Sequence, residues 1–179
     1  MEPTLKIQEL IEELQEGEHE IYPIASEKDI EISEKAVGGV LPESYKTFVR
    51  SFSNGAYLYM LQELSGVGEG NNQISSIQKI SLYDAGPEDI ISFRDGGETL
   101  FKNLIPFSLD SNGNAWCFIV DETTPATEHS VAYLDLEGRK LYGLLADFTS
   151  WLQILTEKQD EVIRTLYDED VLYDELQLG

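Results

Sequence analysis

The sequence predicts an α+β fold: a central, mostly antiparallel sheet flanked by helices. Two observations carry this prediction. Apolar residues recur at helical spacing near both ends of the chain, as Ile7, Leu10, Ile11 and Leu14, as Tyr45, Phe48, Val49 and Phe52, and as Phe148, Trp151, Leu152 and Leu155. Between these segments the pattern changes to short apolar runs broken by Gly, Pro and Asn, which is how strands and turns read. A length of 179 residues with 41% hydrophobic content suits one domain, residues 1–179, with its own core. No internal repeat or low-complexity segment interrupts it.

The first helix is expected at 4–16, with Thr4 as its cap and Gly17 as its end. Glu9, Glu12, Glu13 and Glu16 cover its outer face. His19 follows in a linker between Glu18 and Glu20. No Cys or second His lies nearby, so it reads as a solvated side chain and not a metal ligand.

Residues 26–56 organise the chain. Ser26 is suited to cap a helix, because its hydroxyl can accept from an orphan first-turn amide. Glu27 and Asp29 add negative charge at the positive end of that helix. Ile30, Glu34 and Val37 share a side, and Gly38-Gly39 can end the helix in a left-handed conformation. Pro42 then starts a second helix, near 43–53, where its missing N–H costs nothing. Asn54-Gly55 stops it, and a strand is expected near 56–62.

Residues 65–73, SGVGEGNNQ, read as a flexible surface loop. A phosphate cradle is disfavoured there, since no Lys follows the glycines and Glu69 would repel phosphate. Ile74, Ile77 and Ile80 belong to a short strand or connector. Pro87-Glu88-Asp89 reads as the first turn of a helix through Ile90, Ile91 and Phe93, stopped by Gly96-Gly97. Leu104–Leu109, carrying Pro106, reads as an edge or short strand.

Asp110, Asn112, Asn114 and Asp121 are spaced like part of a calcium loop. The glycine such a loop needs at its sixth position is replaced by Ala115, and the flanks are strand-like. Asn112-Gly113 between apolar runs is instead a two-residue hairpin signal. Trp116, Phe118 and Val120 alternate with Cys117 and Ile119, so both faces of this strand are apolar and it should be central. Cys117 then belongs to the core. Residues 123–130 form a loop, Val131–Leu134 a strand, and Glu137-Gly138 a turn towards Leu141 and Tyr142. Asp147 starts the last helix, whose pattern can continue through Val162, Ile163 and Leu166. The tail from Asp168 to Glu175 is acidic.

The arrangement of an acid-rich helix with Glu34 and Gly38, Leu41-Pro42-x-x-Tyr45, an aromatic helix, Asn54-Gly55 and a strand resembles the N-terminal signature of the SUKH superfamily, the Smi/Knr family. Leu104-Ile105-Pro106-Phe107, Asp110 to Asn114 and Phe148-x-x-Trp151-Leu152 fit as well. The resemblance covers about 24–156, leaving an N-terminal helix and an acidic C-terminal extension outside it. These residues build a fold and carry no catalytic chemistry. The resemblance implies a non-enzymatic binding protein, a bacterial immunity protein that neutralises a cognate toxin, many such toxins being nucleases. The alternative it implies, placed second, is a regulatory scaffold related to cell-wall synthesis or signalling.

Charge bears on the partner. Thirty-four acids face 12 Lys and Arg, a net charge of −22. Such a surface repels nucleic acid and anionic lipid and attracts basic proteins, although solubility alone would also account for it. The expected partner is a basic toxin domain, with no nucleic acid, membrane, metal or cofactor; the oligomeric state is not legible. One cysteine, no long apolar run and no signal-like start point to the cytoplasm. The candidate contact residues are exposed acids beside aromatics: Glu69, Asp84, Glu88, Asp89, Asp168, Glu169 and Asp170. An enzyme reading would need Asp110 and Asp121 to hold a metal, against the hairpin reading.

Overall fold

A computed structural model describes residues 3–70, 73–74, 86–94, 96–110, 113–123, 126–135 and 137–165. Helix α1 (Pro3–Leu14) buries Ile7, Leu10, Ile11 and Leu14 and exposes its glutamates. It begins at Pro3, so Thr4 lies inside the first turn and is not the cap. Helix α2 (Glu27–Val37) carries a full capping box: the Asp29 N–H donates to Ser26 Oγ at 3.2 Å, and the Ser26 N–H donates to Asp29 Oδ2 at 2.9 Å. Gly38 ends it at φ 73°. The Leu41 N–H then donates to Glu34 Oε2 at 2.8 Å, so Glu34 fixes the step into the next helix.

Helix α3 (Glu43–Ser51) follows Pro42, and its free amides find a distant partner. Glu128 accepts from the Ser44 N–H and from the Ser44 hydroxyl, each at 2.7 Å. Burial pushes the Glu128 carboxyl above its usual range despite these bonds.

A small antiparallel sheet contains β1 (Glu20–Ile21), β2 (Ala56–Leu58) and β3 (Gln62–Leu64), in that order. The single strand expected at 56–62 is therefore two. Tyr59 and Met60 both take left-handed backbone, φ 52° and 53°, and reverse the chain between them. His19 helps to hold this turn. Its Nδ1 accepts from the Tyr59 N–H at 2.7 Å and its Nε2 lies 2.7 Å from the Leu14 carbonyl. The ring also packs edge-on against Tyr59 and Phe52. His19 is thus a structural link between α1 and β2, not a solvated side chain.

The larger sheet orders its strands β5-β4-β9-β8-β7-β6 among the described residues. These are β4 (Ile90–Phe93), β5 (Glu98–Leu100), β6 (Leu104–Leu109), β7 (Ala115–Ile119), β8 (Ser130–Asp135) and β9 (Lys140–Leu145). Every neighbouring pair is antiparallel except β4 with β9. The helix expected from Pro87 is strand β4. Residues 86–89 form a turn, with the Asp89 N–H donating to the Gly86 carbonyl at 3.1 Å. Gly96 and Gly97, at φ 95° and 93°, then turn β4 into β5, so they close a hairpin and do not stop a helix.

The β6–β7 hairpin forms as expected, with one difference. Its loop closes on Asp110 and Asn114, whose backbone groups meet at 3.0 Å, leaving three residues between them in place of two. Asn112 itself lies outside the described residues.

Helix α4 (Phe148–Thr165) takes in Val162 and Ile163 of the longer pattern, while Leu166 lies outside the described residues. Asp147 caps it, accepting from the Ser150 N–H and hydroxyl at 2.8 Å. The alternation in β7 divides the interior in two. Trp116 and Phe118 face α1, α3 and α4, where Phe107 stacks on Phe118 at 4.2 Å and packs edge-on against Phe148 and Trp151. Ala115 and Cys117 face the opposite way, towards Ile91, Phe101, Leu104, Ala132, Leu134 and Leu141. The larger sheet is curled, and Ala115, Cys117 and Ala132 are the small side chains of this second cluster. Cys117 is fully buried and burial raises its thiol pKa, so it is held neutral and is no poised nucleophile.

Candidate partner-binding surface

The segment after β1 is held extended without becoming a strand. Ile21 pairs with Ala56, the Tyr22 N–H donates to Ser53 Oγ at 2.8 Å, and the Ala25 N–H donates to the Val49 carbonyl at 2.8 Å. These bonds satisfy the backbone and leave three large apolar side chains facing outwards. Ile21 is 55% exposed, Tyr22 44% and Ile24 59%. Of these, Tyr22 and Ile24 line the groove described below, and exposed apolar residues around a groove mark a candidate contact surface.

The opposite wall is built by the glycine-rich loop, which differs from the expected flexible surface loop. Its first part is buried and bonded at each residue. The Ser65 N–H donates to the Phe107 carbonyl at 2.8 Å, and the Tyr45 hydroxyl donates to the Ser65 carbonyl at 2.6 Å. Asn54 grips Val67 at both ends, accepting from its N–H at 2.7 Å and donating to its carbonyl at 3.0 Å. The Gly68 N–H donates to Ser33 Oγ at 2.9 Å. A Cβ on Gly66 would stand 2.7 Å from the Asn54 carbonyl oxygen, so the two backbones touch. Asn54-Gly55 is thus a socket for this loop as well as the end of α3.

Between the walls lies a groove of about 490 Å³, lined by Tyr22, Pro23, Ile24, Asp29, Asn54, Gly55, Gly66 and Gln73. Among the described residues that line it, Asp29 is the charged one, and none is Lys, Arg or His. Glu20 and Glu63 stand beside it. The Tyr22 hydroxyl donates to Glu20 Oε1 at 3.0 Å, and this bond, with burial and the charges of Glu20 and Glu63, raises the Tyr22 pKa. Asp29 stays ionised, its pKa lowered by the bonds from Ser26. A second, smaller cavity of about 190 Å³ lies between α1 and α4, with Glu9, Glu13 and Glu157 in its lining.

The acids expected to make contacts do not converge. Glu69 is exposed in the loop joining Gly66 to Gln73, beside the groove. Glu88 and Asp89 precede β4, on the other side of the larger sheet from the β6 edge where β3 docks. They are already paired: Glu88 with Lys102 at 3.2 Å, and Asp89 with Arg139 at 3.2 Å. Asp84, Asp168, Glu169 and Asp170 lie outside the described residues, as do Ile77 and Ile80. Asp110 accepts from the Tyr133 hydroxyl and from the Asn114 N–H, and Asp121 accepts from Thr123. No group of three His, Cys, Asp or Glu among the described residues could hold a metal ion. No helix there is long and apolar enough to cross a membrane.

The groove was missed because its parts are scattered at 22–24, 29, 54–55, 66 and 73. One signal was available: Ile21-Tyr22-Pro23-Ile24 is an apolar run without helical period, placed between two helices. Among known families, the model of the SMI1 / KNR4 family (SUKH-1) matches residues 24–154. No curated protein matches the chain.

Proposed function

Because the chain belongs to the SMI1/KNR4 family (SUKH-1), we propose that it is a binding protein that performs no chemistry, an immunity protein that neutralises a basic toxin domain by covering its working surface. The observation that carries this reading is the exposed Ile21, Tyr22 and Ile24 beside a groove whose described lining carries Asp29 and no cation, on a domain of net charge −22. An apolar anchor inside an acidic surround is how interfaces combine affinity with steering. The buried centre holds the partner, and the surrounding charge speeds encounter. A nuclease domain is basic where it holds phosphate, so the same charge would occupy its cleft.

The test uses the purified chain and the toxin domain encoded beside its gene. The expected result is association faster than the ~10⁵–10⁶ M⁻¹s⁻¹ of neutral pairs, slowing steeply with salt, together with loss of toxicity on co-expression. Tyr22→Ala and Ile24→Ala should weaken the complex through faster dissociation. Full protection by a variant carrying both changes would remove the groove from the interface. A gene set among wall-synthesis functions, with no toxin bound, would favour the regulatory scaffold that the family also contains.

A further inference from the structure

We propose that the outer face of the small sheet, together with the turn at its tip, is a docking surface for a basic protein that presents aliphatic side chains among its cations. This extends the contact surface beyond the groove and rests on the reading of the chain as a binder of basic partners. Burial sets the face. Ala56 and Leu58 in β2 are buried, as are Gln62 and Leu64 in β3, so Tyr57 and Glu63, the residues between them, point outwards. Pairing sets a row on that face. Glu20 stands opposite Tyr57 and Tyr57 opposite Glu63, so a partly buried ring lies between two exposed carboxylates across all three strands. Tyr22 joins the row from two residues beyond Glu20, its hydroxyl donating to Glu20 Oε1 at 3.0 Å. That bond, then burial, then the charges of Glu20 and Glu63 raise the Tyr22 pKa, so both carboxylates act on this one ring.

The tip supplies an apolar part, on a separate observation. The Leu61 N–H donates to the Leu58 carbonyl at 2.9 Å and closes a turn whose two central residues, Tyr59 and Met60, are both left-handed. Asn-Gly suits such a turn, because those residues tolerate positive φ. Met60 lacks that tolerance, and burial does not hold it either, since it is 47% exposed. A long apolar side chain in a strained backbone position and turned to solvent does not serve the fold. Strain of this kind persists where function needs the side chain. Leu61 beside it is exposed as well. One residue pair, Leu58 with Gln62, separates the tip from the Tyr57 row, so acids and apolar tip form one continuous patch. The acids draw a cationic surface, and the tip needs an apolar contact within it.

The test is an amide NMR titration of the full chain with two end-blocked peptides of equal charge. One is a lysine heptapeptide with leucine at its second and fifth positions; the other has serine there. The expected result is saturable shifts centred on residues 20–22 and 57–63, with several-fold tighter binding of the leucine peptide. Glu20→Gln with Glu63→Gln should weaken both peptides several-fold, while the amide oxygen still accepts from Tyr22. Glu9→Gln with Glu13→Gln removes the same charge from α1 and should leave both affinities nearly unchanged. Met60→Gly decides the role of the tip. Glycine relieves the left-handed strain, so the melting temperature should hold or rise while affinity for the leucine peptide falls several-fold. Damage to the fold cannot produce that pair of results. Equal affinities for the two peptides, equal weakening by the two glutamate pairs, or an unchanged leucine-peptide affinity in Met60→Gly would overturn the assignment. The peptides are no toxin, so failure here leaves the immunity reading standing, and failure of protection leaves a positive titration standing.

Discussion

A methyl group added at Gly66 would meet the Asn54 carbonyl oxygen and Oδ1, each at 2.7 Å, and the carbonyl carbon at 2.9 Å. None of these atoms is the free end of a flexible chain, because Asn54 is bonded to Val67 at both its amide atoms. Gly66→Ala should therefore cost about 1–3 kcal/mol, the penalty of overpacking. Gly39→Ala is the matched control. Nothing lies within 4 Å of its added carbon, and its φ is not left-handed, so stability should be unchanged or slightly raised. Urea unfolding of the two variants decides the matter; equal midpoints would mean that the loop is not seated on Asn54. At this scale the sequence was half legible. Ser26, Gly38 and Asn54-Gly55 announce helix ends through local chemistry. That Asn54 also holds residue 67, and that His19 links Leu14 to Tyr59, depends on contacts that no local pattern records.

Elements were legible where one face had to be buried. The stripes of α1, α3 and α4 were read from spacing alone, and Phe48 and Trp151 are 0% and 2% exposed. Replacing either by Ala should cost ~3–5 kcal/mol, measured by thermal or chemical unfolding. Trp151→Phe is the sharper test. The Trp151 indole N–H is buried with no acceptor among the described residues, so losing it removes a polar deficit while keeping a ring. Its cost should fall well below that of the Ala variant. If Trp151→Ala left the melting curve unmoved, the packing of α4 on the sheet would be wrong. Strand β4 was misread because Pro87-Glu88-Asp89 imitates a helix start. What decides its state is pairing with β9, almost fifty residues away in sequence, and with β5 across two left-handed glycines. Parallel pairing leaves no turn for a reader to find. The glycine-rich loop misled in the opposite sense, since its composition suggests freedom while its glycines serve close contact.

Over the whole molecule, cations are too few and are shared. Lys46 lies 3.9 Å from Glu34 and 3.2 Å from Glu43; Arg50 lies 2.6 Å from Glu27 and 3.1 Å from Glu43; Lys102 lies 3.2 Å from Glu88 and 3.8 Å from Glu122. Three cations thus serve two carboxylates each, and the surplus of acids repels itself. Exposed pairs contribute little and weaken with salt, but self-repulsion over a net charge of −22 weakens with salt too, and it is the larger sum. Salt should therefore raise the melting temperature, most steeply until the screening length falls to ~8 Å near physiological ionic strength. Acid should act in the same direction at first. Glu128 has a raised pKa in the fold, so the folded chain binds its proton more readily than the unfolded chain does; this contribution is present at low pH and is lost as pH rises through the folded value. Asp29 and Glu43 have lowered pKa values and oppose it, adding stability that disappears as pH falls through theirs. Stability should thus peak on the acid side of neutrality. Partner association carries the reverse sign, because the field that strains the free protein is the field that draws a basic partner. Melting curves and association rates measured over one salt series should move in opposite directions. A melting temperature that falls with salt would mean that the shared ion pairs outweigh the repulsion, and the acidic surplus would then lose its claim to a cost that only a basic partner relieves.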